Sequence, residues 1–388
     1  MRICRVATIP FYFVSQLKEQ IYELIEAGHE VTLITSSGPE LSQFEHHKKL
    51  NIKVIEIPRS IHPFKDIIAL FRLMVFFLFH RFDIVHSYTP KAGLLTALAA
   101  FITKQPKRLH TWTGQQWLNM KGFNRIICRI ADRFIGLLSS QCYVDSPSQK
   151  RLLISESIIH PDKISVIGNG SLAGVNTSRF NSDRWSVADR EAVLKKLRIP
   201  SDSTVITFIG RINEYKGIRE LFSAFIEICR KRNLDLLMVG PIDNEHNDII
   251  NIIEGIHDHP RIHFTGYTST PEFYLAVTDI LCLPSYREGF GTVVIEAASM
   301  GIPTVGTIID GIIDAIVDKE TGLLVPARDV NSLMEALLLL IDNPDFRNSL
   351  GEKALYRCRT FFNSKTMNLL TIKEYEKLVI TPAIKHAN

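Results

Sequence analysis

A chain of 388 residues, 46% hydrophobic and 22% charged, is long enough for two packed domains of roughly 150 to 200 residues each. These proportions exclude a disordered or fibrous protein. No uncharged apolar run reaches the roughly 18 residues of a membrane span; the best attempt, 67–79, is short and holds Arg72. Net charge is +4, but residues 1–180 carry 22 Lys and Arg against 13 Asp and Glu, and the remainder 23 against 28. A basic first half suits an anionic partner: nucleic acid, a phosphate-bearing substrate or a membrane surface.

The first residues, Met1-Arg2-Ile3-Cys4-Arg5, lead into an apolar run at 6–14 in the manner of a secretion signal. No small-residue cleavage site follows, so 3–9 reads as a first buried strand. The helix 15–27 comes next, its stripe of Leu17, Ile21, Leu24 and Ile25 ended by Gly28. Further strands are expected at 30–35, 54–57, 84–86, 108–112, 142–144 and 164–167. After Gly168-Asn169-Gly170 the periodicity lapses through Ser182, and a charged helix near 187–197 precedes the turn 199–202. The alternation then restarts, with strands at 205–209, 234–239, 262–264, 280–283 and 304–305. Helices are expected at 217–231, 291–300, 330–341, 344–361 and 364–379.

Strands alternating with helices in this way specify parallel sheets built from crossover units. The fold class is therefore α/β: two Rossmann-like doubly wound domains facing across a cleft. The first domain is expected over 1–182, a linker over 183–202, the second domain over 203–362 and a terminal helix over 363–388, packing back toward the first. Six cysteines stand singly in apolar patterns, which fits a reducing cytosol.

Doubly wound sheets bind ligands beyond the carboxyl ends of their strands, and the polar clusters fall there. Gly210-Arg211 ends the strand 205–209, and Lys216-Gly217 opens the next helix. A guanidinium fork and a compact ammonium at one turn suit a diphosphate; taken alone they are equally a solvated surface pair. The second cluster follows the strand 280–283: Glu288-Gly289-Phe290-Gly291-Thr292 and, one helical stretch on, Glu296. Bare N–H groups around Phe290 and Gly291 at a helix start attract anions. Glu296, among the apolar Ile295, Ala297 and Ala298, needs partners such as the vicinal hydroxyls of a ribose.

Gly210-Arg211, Lys216-Gly217, Gly240-Pro241, Glu288 through seven residues to Glu296, and Thr321-Gly322-Leu323-Leu324-Val325 together resemble the carboxyl-terminal domain of family 4 retaining glycosyltransferases of GT-B fold, over most of 160–345. Asp83-Ile84-Val85-His86 and 166–171 resemble the same family more loosely. The resemblance implies transfer of a sugar, with retention and without metal, from a nucleotide-diphosphate sugar, UDP-linked, to a lipid-linked or glycan acceptor in surface polysaccharide synthesis. Arg211, Lys216 and Glu288 would be catalytic. Gly210, Gly240, Gly289, Phe290, Gly291, Thr292 and Glu296 would complete the donor site, Glu296 holding the ribose. No cofactor is implied. No Asp-x-Asp ends an expected strand, and the histidines lack ligand spacing.

Two segments depart from the family pattern. Pro10-Phe11-Tyr12-Phe13-Val14-Ser15-Gln16 replaces a Gly-Gly pair, and Thr113 in Thr111-Trp112-Thr113-Gly114-Gln115 stands where many members have His-Gly. The acceptor-side candidates are Phe13, Ser15, His86, His110, Thr113 and Gly114. A nucleotide-sugar epimerase or hydrolase, or a non-catalytic nucleotide-sugar-binding subunit, are the alternatives. A dehydrogenase is disfavoured because no Gly-x-Gly-x-x-Gly follows the first strand.

Lys121, Arg125, Arg129 and Arg133 recur every four residues, with Phe123, Ile126, Ile127, Ile130 and Phe134 on other faces of the same helix. Two readings fit: peripheral contact of 121–135 with anionic lipid at the inner face of the membrane, or a solvated arginine stripe over a core-facing apolar side. The helix 64–82 extends the first of these. Nucleic acid is not expected, since no basic strand platform carries interleaved aromatics.

Overall fold

The computed structural model describes residues 1–44, 46–60, 62–243 and 247–380. The chain divides into two compact units, the first comprising residues 1–173 with the segment from Ser364 onward, the second Gly174–Asn363.

The first unit holds seven strands: β1 (Arg2–Val6), β2 (Glu30–Thr35), β3 (Leu50–Val54), β4 (Ile84–Ser87), β5 (Lys107–Trp112), β6 (Gln141–Val144) and β7 (Ile164–Val166). They form a parallel sheet in the order β3-β2-β1-β4-β5-β6-β7. β1 ends at Val6, short of the expected 3–9, because Pro10 opens a helical turn, Pro10–Tyr12, that passes into a wider π turn, Phe13–Leu17. The expected strand at 54–57 lies instead at β3, an exposed edge strand with polar Asn51 and Lys53; Ile55 and Ile57, which suggested it, are buried just beyond. Alternate residues of β1 serve opposite cores: Ile3 packs with Leu24, Leu33 and Ile84, while Cys4 and Val6 pack with Leu73, Phe77 and Ala99.

The second unit holds β8 (Thr204–Ile209), β9 (Leu234–Val239), β10 (Ile262–Gly266), β11 (Ile280–Leu283), β12 (Thr304–Thr307) and β13 (Gly322–Val325), parallel in the order β10-β9-β8-β11-β12-β13. Both sheets thus reverse direction beside their first strand, at β1/β4 and at β8/β11. Those are the switch points where doubly wound folds seat ligands. Phe208, Phe225, Leu236, Leu281 and Ile295 anchor the second core. β13 was not expected as a strand; its four residues are Gly322-Leu323-Leu324-Val325.

Residues 183–202 are not a linker. Helix Val187–Leu197 starts on a reciprocal Ser186/Asp189 cap, and Val193 and Ile199 pack with Val205, Leu237 and Val239. The division falls at 173/174, where Val175 already joins the second core through its N–H to the Phe362 carbonyl, 2.7 Å. Helix Ser364–Ile380 belongs to the first unit: Gln20 Nε2 donates to Asn368 at 3.1 Å, and Tyr375 is buried with Ile21 and Ile84. The last part of the expected terminal helix, 381–388, lies outside the described residues. No helix among the described residues is long and apolar enough to cross a membrane.

Candidate active site

Two glycines bring the ends of β8, β9 and β11 together. Gly240 has φ +142°, and a Cβ there would lie 1.9 Å from the Gly210 carbonyl oxygen. Gly217 has φ +66°, and its Cβ would lie 2.0 Å from the Pro284 carbonyl oxygen. No side chain fits either place. The loop after β8 therefore lies against the loop after β11, and Tyr286 N–H donates to the Tyr215 carbonyl at 2.8 Å.

This contact delivers Lys216 Nζ to Glu288 Oε1, an ion pair with both side chains largely buried. Ser285 Oγ donates to the same oxygen at 2.8 Å, and the Thr307 hydroxyl donates to the Ser285 carbonyl. Arg211 stands at the rim with its side chain 59% exposed, 3.7 Å from Asp243. Arg287 joins them, its guanidinium over the Tyr215 ring at 5.5 Å. Its pKa is lowered chiefly by burial; Glu288 and Tyr215 oppose the shift and Arg211 adds to it. Three cations thus share one pair of loops, an arrangement fit to take up a diphosphate. Arg287, Ser285 and Asp243 were not singled out by the sequence reading. Ser285 and Arg287 both stand in the stretch 284–287 between the strand 280–283 and Glu288, the one signal the sequence offered for them.

Helix Thr292–Ser299 begins on Gly291, which carries no side-chain cap, so its first N–H groups suit an anion. Phe290 corrects the sequence reading. Its side chain is 3% exposed and packs on Phe362 at 5.2 Å, so only its backbone is left for a ligand. Glu296, about 6 Å further along the axis than Thr292, belongs to a second polar group. Burial raises its carboxyl to about 7, with Arg179 pulling it down and Glu272 pushing it up. Arg179 also donates to Glu272 at 2.7 Å and to the Ser269 carbonyl at 2.6 Å. A space of about 10 Å³ lies among Ala298, Cys358 and Phe362, with Arg357 at its edge, and takes no more than a water.

The acceptor-side candidates separate into buried and accessible ones. Phe13 is fully buried in the core and offers nothing to a ligand. His110 is also a core residue, against Gly93 and Trp112 and bonded to Ser87 Oγ at 2.9 Å; burial lowers its pKa to about 3. His86 lies on the other face of the sheet, between Thr111 Oγ1 at 2.8 Å and the Tyr375 hydroxyl, and burial also holds it neutral. Ser15 is exposed, and Thr113 and Gly114 are half-buried beyond β5. Among the described residues no three His, Cys, Asp or Glu side chains converge as a metal site requires.

Residues 189–356 match the model described as "Glycosyl transferases group 1", and residues 15–171 the model "Glycosyltransferase Family 4". The capsular polysaccharide biosynthesis glycosyltransferase CapM of Staphylococcus aureus is 29% identical over 350 residues, 90% of each chain. An Escherichia coli UDP-Gal:alpha-D-GlcNAc-diphosphoundecaprenol alpha-1,3-galactosyltransferase is 24% identical over 88% of each. Among solved structures, Anabaena HepE in complex with UDP and glucose superposes with a TM-score of 0.82 at 16% identity, covering 97% of this chain and 99% of that one. Fold and matches together define a glycosyltransferase of the GT-B class. The chain belongs to glycosyltransferase family 4.

Proposed function

We propose that the chain transfers a sugar, with retention and without a metal ion, from a UDP-linked donor to a lipid-linked or glycan acceptor in surface polysaccharide synthesis. The joining of Lys216, Glu288, Arg211 and Arg287 on two loops at the switch point of the second sheet carries this reading. As the glycosidic bond breaks, negative charge builds on the leaving diphosphate. Fixed cations bind that charge more tightly than the neutral bond it replaces, which lowers the barrier. Lys216, Arg211 and the uncapped helix start supply these charges, and the leaving phosphate takes the acceptor's proton on the departing face. Glu288 holds Lys216 in place and accepts from a donor hydroxyl, while Glu296 accepts from the ribose. The names of the CapM and E. coli relatives support an acceptor built on a surface glycan or its lipid carrier.

Membrane association is part of the proposal. Helix Gly122–Leu138 turns Phe123, Ile126, Ile130, Phe134 and Leu137 outward, while Arg129 pairs with Glu156 and lies over Trp117 at 5.3 Å. The solvated arginine stripe over a core-facing apolar side is therefore reversed; the inward face is Asp132, Ile135 and Gly136. Phe64, Phe71 and Phe79 on helix Pro63–Phe79 are exposed as well. An apolar stripe flanked by Lys121 and Arg133 suits the interface of an anionic bilayer at the cytoplasmic face.

Incubation with UDP-sugars and a membrane extract tests the reading: sugar moves to a lipid-extractable product with its anomeric configuration kept. Release of free sugar alone, equal with and without extract, would instead identify a hydrolase.

A further inference from the structure

One residue of the loop after β11 grips the segment 215–220 at two points. The Tyr286 N–H donates to the Tyr215 carbonyl at 2.8 Å, and its phenol donates to Glu220, 2.6 Å from each carboxylate oxygen. Tyr215 stands just before Lys216, and Glu220 one helical turn after it. Tyr286 thus holds both flanks of Lys216, while Glu288, further along its own loop, meets the ammonium itself. A third element closes the arrangement: the Arg328 guanidinium lies over the Tyr286 ring at 4.6 Å. Arg328 is carried there on a left-handed backbone, φ +64°, at the turn into helix Val330–Asp342.

Lys216 needs such support because its own turn is weak. Glu214–Lys216 is a single 3-10 turn with no side-chain cap, closed by N–H bonds of 3.2 Å from Lys216 and Gly217. That is the long end of the ordinary range. Glu220 by contrast stands in the first turn of helix Ile218–Cys229, where a carboxylate is favoured. Leu221, Phe222 and Phe225 anchor that helix in the core, so a bond to Glu220 ties the loop to a rigid, close-packed body. The phenol stays a donor: burial raises its pKa, the Glu220 carboxylate adds to the shift and Arg328 opposes it.

We propose that Tyr286 is a positioning residue for sugar transfer, holding Lys216 and Glu288 in register through its bond to Glu220, with Arg328 keeping its ring in place. The role rests on the glycosyltransferase reading and deepens it, adding to the side chains that meet the donor a group that sets where they stand. A cation that stabilises charge as it develops works best when it is oriented beforehand, and an error of about 1 Å in its place can cost about a hundredfold in rate. Without the phenol hydroxyl the two loops keep their contacts at Tyr215 and Gly217 but lose the one that ties them to the helix.

The test uses the full chain and first reads Lys216 directly, without donor. Acetylation by sulfo-N-hydroxysuccinimide acetate, resolved by residue in a mass spectrometer, should run about fivefold faster at Lys216 in Tyr286→Phe and in Glu220→Leu than in the wild type. Lys163, which donates to the Gly136 and Leu137 carbonyls in the first unit, should react at an unchanged rate. Glu220→Gln keeps an acceptor oxygen and should stay near the wild-type rate, and the double variant Tyr286→Phe, Glu220→Leu should exceed neither single one, because both remove the same bond. With UDP-glucose, UDP-galactose or UDP-N-acetylglucosamine and the membrane extract, Tyr286→Phe and Glu220→Leu should lower kcat about tenfold with donor KM held within about threefold, and Glu220→Gln should recover most of the loss. If Tyr286→Phe fails to fold, Glu220→Leu against Glu220→Gln carries the same comparison. An unchanged Lys216 rate or an unchanged kcat in Tyr286→Phe overturns the proposal, as does equal acceleration at Lys163 and Lys216, which would mean general loosening. A wild type that transfers no sugar removes the transferase reading alone, and the labelling rates still decide whether Tyr286 sets Lys216.

Discussion

Lys216 and Glu288 meet as an ion pair although 72 residues separate them, because Gly217 lets one loop close on the carbonyl of Pro284 in the other. Ser285 Oγ holds the same Glu288 oxygen from behind. The ammonium is thus fixed before any diphosphate arrives, so its orientation costs nothing when charge develops.

Removal of either donor-facing cation should act on turnover. A charge-assisted contact contributes about 1.5–3 kcal/mol, so Arg211→Ala and Lys216→Ala should each lower kcat/KM roughly ten- to hundred-fold. Arg211 is mostly exposed and should leave the melting temperature unchanged. Lys216→Ala strands Glu288, and adding Glu288→Gln should restore stability without activity. Steady-state kinetics beside thermal melts separate the two effects; near-normal kcat/KM in both single variants would count against the assigned roles.

Gly217 offers a geometric test of the same pair. Its left-handed backbone and the 2.0 Å approach of any Cβ to the Pro284 carbonyl oxygen leave Gly217→Ala no relaxed conformation. We expect a loss of more than about 2 kcal/mol in stability and, in the chain that still folds, weaker UDP binding by titration calorimetry. Gly255, which meets nothing within 4 Å, should accept alanine freely and serves as the control.

Glu296 should give a pH signature of stability. Its carboxyl is raised from 4.5 to about 7 by burial, so the folded chain binds more protons than the unfolded one across that window. Stability is then fully present below about pH 4.5 and is lost as pH rises toward 7. Glu296→Gln should flatten this part of the pH–melting curve, melt higher than the wild type at pH 8, and bind nucleotide less well. Coincident wild-type and variant curves from pH 4.5 to 8 would refute the assignment.

The strand pattern was readable because both faces of each sheet are covered. Buried runs such as Val205 to Ile209 and Leu234 to Val239 therefore stand out as mostly apolar segments, interrupted only by Thr207 and Asp235. Edge strand β3 was not, since Asn51 and Lys53 interrupt the run and water covers it. The Lys216 and Glu288 motifs were legible as turns, yet Arg179 and Glu220 were not. Arg179 reaches Glu272 across 93 residues, and Glu220 meets Tyr286 across 66. Periodicity showed that helix Gly122–Leu138 has an apolar stripe but could not say which way it points. The inward direction was decided by Asp132, which receives Trp112 Nε1 at 3.1 Å and Trp117 Nε1 at 2.7 Å.

That orientation makes the membrane proposal quantitative. Phe123 is 74% exposed and Leu137 70%, so neither stabilises the isolated chain. Burial of such a side chain in a bilayer interface contributes about 1.5–3 kcal/mol at most. The triple variant Phe123→Ser, Ile126→Ser, Phe134→Ser should therefore lower binding to phosphatidylglycerol-containing vesicles at least tenfold in co-sedimentation, with an unchanged melting temperature. Arg133→Ser should matter less and only at low salt, because one exposed cation adds about 1 kcal/mol that salt screens. Asp132→Ala is the opposite case: it leaves two indole N–H groups unpaired in the core, and should destabilise the fold while leaving the outward stripe intact. Equal vesicle binding by the wild type and the triple variant would remove this helix from the membrane-facing surface.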